Sequence, residues 1–71
     1  MELGKTSRRV LKAIAKLSSE CGYPPTVQEI GDEVGLKSTS TVYGHLERLQ
    51  KSGYISWQPA KPRTIRVLQE D

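Results

Sequence analysis

Thr26-Val27-Gln28-Glu29 has the spacing of a capping box, in which the threonine hydroxyl accepts from the N3 amide and the glutamate carboxylate accepts from the amide of the cap residue. Pro24 and Pro25 stand just before it and bar the preceding chain from running into it as helix. Together they fix one helix start more tightly than any other stretch. Ile30 and Val34 then recur four apart, the apolar stripe of a short helix. Gly35 follows where a left-handed C′ residue is wanted, and Leu36 is placed to fold back on the stripe. Ser38 can cap a second helix, whose apolar positions are Val42, Leu46 and Leu49. Two helices joined by so short a turn predict a helix-turn-helix over about 27–47, with the second helix as the reader.

The remaining chain reads as support for that second helix. Met1–Gly4 is a tail. From Lys5 to Ser19, Val10, Leu11, Ile14 and Leu17 form a helical stripe with Ala13 and Ala15 as small fillers, and Lys5, Arg8, Arg9, Lys12 and Lys16 occupy the other faces as a mostly solvated surface. Gly22 ends this helix, with Tyr23 placed to fold back on it. Gly53 stops the third helix. Tyr54–Trp57 and Thr64–Leu68 are strand-like runs around the loop Gln58–Arg63, which predicts a β-hairpin over about 54–68. Ile55, Ile65 and Val67 face the helices, and Lys61, Arg63 and Arg66 lie near the tip. A hairpin with a basic tip after a helix-turn-helix is a wing. Trp57 reads as a partial lid on the hydrophobic edge, the alternative being a platform on which bases stack. Gln69-Glu70-Asp71 is an acidic end.

The fold class is therefore mainly α with a small β-hairpin: a winged helix-turn-helix of three helices and a two-stranded antiparallel wing. A chain of 71 residues holds one domain, spanning 1–71, with a small core. Its net charge of +3 favours a polyanionic partner only weakly. Cys21 is the single cysteine, which excludes a disulfide framework or a thiolate metal cluster. It reads as a reduced, buried or half-buried thiol; a redox sensor would need a setting that lowers its pKa, and Glu20 beside it opposes that. No apolar run approaches membrane-spanning length and no export signal is present, so a cytoplasmic location is expected.

On a helical wheel Val42, Leu46 and Leu49 fall within about 60° of one another, with His45 at the edge of the cluster. His45 reads as a structural, hydrogen-bonded histidine, since neither a second histidine nor a second cysteine is there to share a metal. Ser40, Tyr43, Gly44, Glu47 and Lys51 take the opposite side, with Thr39 and Thr41 near the start. A reading helix meets base edges through its N-terminal residues, and short hydroxyl side chains allow close approach. Glycine inside a helix costs about 1 kcal/mol against alanine, so Gly44 on the exposed face points to close contact with a ligand. The acidic residues Glu29, Asp32 and Glu33 of the preceding helix should turn from phosphates or toward a basic neighbour. No catalytic pair, phosphate-binding glycine loop or carboxylate cluster is present, so no enzyme activity, cofactor or metal is expected.

The segments GYPPTVQEIGDEVGL, STSTVYGHLERLQKSGYI and KPRTIRVL resemble the amino-terminal DNA-binding domain of LexA, the repressor of the bacterial SOS (DNA-damage) response, and most closely its Gram-positive type. The resemblance runs through most of the chain. It implies a transcriptional repressor whose two copies bind a palindromic, double-stranded operator with inverted half-sites. The family's base-contacting positions fall on Ser38, Ser40, Thr41, Tyr43 and Gly44, and Glu47 faces the same groove. Lys37, Thr39, Lys51, Lys61 and Arg63 are expected on phosphates, roughly four of which would be neutralised per copy. The sequence departs from the family at Leu3-Gly4-Lys5-Thr6-Ser7, where a Thr or Ser cap, a basic residue and Gln are usual, and at Tyr43, where the Gram-positive branch often has His. Full-length members also carry a self-cleaving Ser–Lys protease domain that dimerises. This chain has no counterpart to it, so self-association is expected to be weak or absent away from DNA. The rival reading is a winged helix used for protein contact, such as a small antirepressor that pairs with a repressor.

Overall fold

The stripe of Val10, Leu11 and Ile14 forms the buried side of α1, Lys5–Cys21, in the computed structural model, which describes residues 4–69. Of the tail read at Met1–Gly4, the first three residues lie outside the described residues, as do the last two of the acidic end Gln69-Glu70-Asp71. Gly4 is the N-cap of α1, its carbonyl accepting from Arg8 N at 3.0 Å. Gly22 closes the helix at φ 77°, its amide donating to the Ser18 carbonyl at 3.0 Å. Two sequence expectations fail here. Cys21 is exposed, because the last turn of α1 overruns the elements its stripe packs against: Leu17 is only half-buried, and Ser19 and Glu20 are already exposed. Tyr23 does not fold back on the helix. It is about half exposed and lies under the guanidinium of Arg63, 4.7 Å from the ring centre.

α2, Val27–Val34, begins with the capping box complete: Glu29 N donates to Thr26 Oγ1 at 3.1 Å and Thr26 N donates to Glu29 Oε1 at 2.9 Å. It ends at Gly35, φ 77°, with the Leu36 amide reaching back to the Gly31 carbonyl at 2.9 Å, the link by which a Schellman turn satisfies the last carbonyls. Two of the charges read as solvated surface on α1 instead tie it to α2. Arg9 donates to the Val34 carbonyl at 3.1 Å, where the negative end of the α2 dipole favours a cation. Lys16 pairs with Glu33 at 2.8 Å, and that carboxylate's hydrogen bond raises the ammonium pKa above its ordinary value.

α3, Thr39–Lys51, crosses both earlier helices and buries Val42, Leu46 and Leu49 completely. Each such side chain contributes about 1.5–3 kcal/mol by leaving water. Gly31 makes the crossing possible, since a β-carbon there would stand 2.9 Å from the Leu36 carbonyl oxygen and 3.3 Å from Val42 Cγ2. Ser38 occupies the N-cap position by backbone, its carbonyl accepting from Val42 N, but its hydroxyl makes no cap hydrogen bond, contrary to the sequence reading. His45 shares a 3.0 Å hydrogen bond through Nδ1 with the hydroxyl of Ser7, a buried residue of α1, and so takes the structural role expected of it.

The hairpin consists of β1, Ile55–Ser56, and β2, Arg66–Val67, antiparallel with Ile55 opposite Val67 and Ser56 opposite Arg66. The ladder is shorter than the run of apolar residues predicts. Pro59 and Pro62 offer no amide hydrogen for pairing, and Thr64 closes the loop instead of extending the strand. Its hydroxyl accepts from Gln58 N at 3.0 Å and stands 3.0 and 3.1 Å from the carbonyl oxygens of Gln58 and Lys61, to which it can donate. Ile55 and Ile65 enter the core as predicted, and Val67 is half-buried against it. Trp57 is a core residue with 5% of its surface exposed, neither a partial lid nor a platform open to bases. Gln50 of α3 donates to its carbonyl at 2.8 Å, fastening the root of the hairpin to α3.

Candidate nucleic-acid interface

An apolar underside and a hydroxyl-rich outer side divide α3 along its length. Val42, Leu46 and Leu49 face the core, while Ser38, Thr39, Ser40, Thr41, Gly44, Glu47 and Lys51 are all exposed. The apolar residues recur at three- and four-residue spacing, so burying them in the notch made by α1 and α2 turns the intervening positions outward. Nothing stands within 4 Å of where a β-carbon at Gly44 would lie. No packing inside the protein therefore requires glycine there, in contrast to Gly31. The free domain has room for a side chain at position 44.

Tyr43 is presented from a fixed support. Its ring centre is 5.2 Å from that of Trp57 with the planes tilted by 52°, and 37% of the residue remains exposed. A tilted aromatic pair of this kind holds the phenol without covering it. Tyr43 and Thr39 border a cleft of about 410 Å³ together with Gln28 near the start of α2 and Lys61 and Arg63 of the wing. Of the predicted contact residues, the fold brings Thr39, Tyr43, Lys61 and Arg63 around this cleft, while Lys37, Ser38, Ser40, Thr41, Gly44, Glu47 and Lys51 lie outside its lining. Lys37 is exposed in the turn before α3, and Lys61 is exposed in the wing loop. Arg48, which the sequence reading did not include, is exposed in the last turn of α3 beside Lys51. Its position one helical turn after Gly44, on the same side of the wheel, was the signal available.

Arg63 is placed differently from Lys61. Its Nη1 donates to the Pro24 carbonyl and to Glu29 Oε1, both at 3.1 Å, and its Nη2 lies 3.4 Å from Glu29 Oε2. The guanidinium sequence reading assigned to phosphate is already turned onto a carboxylate and a carbonyl. Glu29 also receives the Thr26 amide, and that bond, with Arg63 second, holds its pKa below the ordinary carboxylate value. Both paired acids of α2, Glu29 and Glu33, thus face basic neighbours, which reduces the negative field next to α3.

The larger surface cleft, about 640 Å³ between α1 and the end of the hairpin, holds Tyr23 and Arg66 but no carboxylate, histidine or thiol. Among the described residues no group of His, Cys, Asp or Glu could hold a metal ion, and no helix is long and apolar enough to cross a membrane.

Three helices, an outward hydroxyl-bearing third helix and a basic hairpin beside it define a winged helix-turn-helix of the DNA-binding class. Residues 1–64 match the family model described as the LexA DNA binding domain. A LexA repressor of Caldicellulosiruptor saccharolyticus is 51% identical over 70 residues, covering 99% of this chain and 35% of that protein. LexA repressors of a Geobacillus strain and of Bacillus thuringiensis (strain Al Hakam) are 50% and 51% identical over the same length, each covered to 34%. The chain belongs to the family of LexA DNA-binding domains, and it spans about a third of the length of the curated relatives it matches.

Proposed function

We propose that this chain is the sequence-specific, double-stranded-DNA-binding part of a LexA-like transcriptional repressor of the DNA-damage response, acting in the cytoplasm on an operator with inverted half-sites. One observation carries the reading: a helical turn of serine and threonine at the start of α3 stands outward over a fully buried apolar underside. Ser38, Ser40, Thr41, Tyr43, Gly44 and Glu47 meet base edges in the major groove, Glu47 as an acceptor for a cytosine amino group. Lys37, Thr39, Lys51 and Lys61 meet phosphates. Phosphate contacts orient the domain and set its affinity, while groove contacts set sequence preference. One copy binds weakly, and two copies on half-sites about one helical turn apart restore specificity.

Selection of bound duplexes from a random pool at a stated salt concentration tests this directly. The enriched sequences should carry an inverted repeat. With Lys37, Lys51 and Lys61 each neutralising one phosphate, the logarithm of affinity should fall with that of salt at a slope near −2.7 per copy. Gly44→Leu should abolish enrichment while the helical circular dichroism stays unchanged. Affinity flat in salt, together with a stable complex with a full-length repressor, would favour the antirepressor reading instead.

A further inference from the structure

We propose that Arg63 is a positioning residue, which locks the wing against the start of α2 and so fixes where Lys61 meets the DNA backbone, without contacting phosphate itself. This rests on the DNA-binding reading above. Arg63 joins segments far apart in sequence: the Pro24 carbonyl between α1 and α2, both oxygens of Glu29 on α2, and the ring of Tyr23. The end of the guanidinium that matches an oxyanion in a two-point fork is used by Glu29, and one face lies over Tyr23. A phosphate arriving at the remaining edge meets a cation already neutralised at 3.1 Å. The backbone at Arg63 has φ 57°, a left-handed conformation that is uncommon for a non-glycine residue. The same residue makes four side-chain contacts, with the Pro24 carbonyl, both Glu29 oxygens and the Tyr23 ring.

The clamp reaches Lys61 through a short, stiff path. Pro62 alone separates the two residues and has its φ set by its ring. Lys61 N donates to the Gln58 carbonyl at 3.0 Å, and the Lys61 carbonyl is 3.1 Å from the Thr64 hydroxyl. The loop from Gln58 to Thr64 is thereby one hydrogen-bonded unit. Pinning Arg63 pins the unit, and with it Lys61, which borders the same cleft as Thr39 and Tyr43. Glu29 serves the α2 cap and the wing clamp at once, so the wing is referenced to the same helix start that sets the supporting helix of the motif.

Arg63→Lys keeps the charge but loses the planar fork that spans a carboxylate, a carbonyl and a ring together. Equilibrium binding to an operator and to random duplex, across a salt series, is measured for the wild type, Arg63→Lys, Lys61→Ala and the double variant. The expected result is that Arg63→Lys weakens binding by about tenfold, the size of one charge-assisted contact, yet by less than about twofold when Lys61 is already alanine. Wild-type affinity in Arg63→Lys, or an equal loss in both backgrounds, would overturn the assignment. Glu29→Gln, which keeps the capping box, supplies a second arm. It should weaken binding although it removes a negative charge; tighter binding would mean that a released Arg63 goes to phosphate. In the free protein the Lys61 amide should exchange with solvent faster in Arg63→Lys than in the wild type, and unchanged exchange would also count against the clamp. A wild type that binds no duplex would defeat the DNA-binding reading instead, while amide exchange would still report on the clamp.

Discussion

Gly31 of α2 lies so close to Val42 of α3 that a β-carbon at position 31 would stand 3.3 Å from the valine Cγ2. The same β-carbon would be 2.9 Å from the Leu36 carbonyl oxygen, and a backbone atom cannot move aside as a side-chain end can. Gly31→Ala should therefore destabilise the domain by about 1–3 kcal/mol, the usual cost of forcing an extra carbon into a packed contact. Thermal and urea denaturation measure it. Stability equal to the wild type would mean that the helix crossing has slack.

Gly44 gives the opposite expectation on the same helix pair. Its β-carbon would meet nothing, and its backbone is helical, so Gly44→Ala should raise stability by about 1 kcal/mol. Operator binding should nevertheless weaken, because the added methyl stands on the face offered to the groove. Greater stability with unchanged operator affinity would remove Gly44 from the contact surface.

Ser7 and His45 are joined at 3.0 Å across α1 and α3. Removing the hydroxyl in Ser7→Ala leaves a partly buried ring nitrogen without its partner, at a cost of about 1–3 kcal/mol. Chemical denaturation of the variant provides the check, and a neutral result would show that water replaces the lost partner.

Lys61 should behave as a phosphate contact. Lys61→Ala is expected to weaken operator and random DNA about equally and to make the salt slope less negative by about 0.9. Fluorescence anisotropy at several salt concentrations resolves both quantities. A loss confined to the operator would move Lys61 to base readout.

Glu29 supplies a pH dependence. Its folded-state pKa lies below the ordinary 4.5 because the Thr26 amide and Arg63 favour the charged form. Its contribution to stability is thus fully present above the unfolded value and disappears as pH falls through the folded one. The stability difference between the wild type and Glu29→Gln should accordingly shrink as the solution is acidified below 4.5, and a difference that grew on acidification would contradict the sign of the shift.

The sequence by itself determined the elements whose causes are local. The capping box at Thr26 and Glu29, the left-handed closures at Gly22 and Gly35, and the stripes of α1 and α3 depend on hydrogen bonds and spacings within about four residues. Those same stripes dictated which side of α3 would face outward, so the hydroxyl-bearing surface was legible before any contact was known. Tertiary structure alone decided the uses of residues that are distant in sequence. Arg63 meets Glu29 across 34 positions and Pro24 across 39, and Ser7 meets His45 across 38. It also buried Trp57, left Cys21 on the overhanging end of α1, and required glycine at 31 but not at 44. Periodicity reports which side of an element is apolar, whereas the partner that a cation, a ring or a missing side chain finds depends on how the elements cross, and that geometry is fixed only when the core closes.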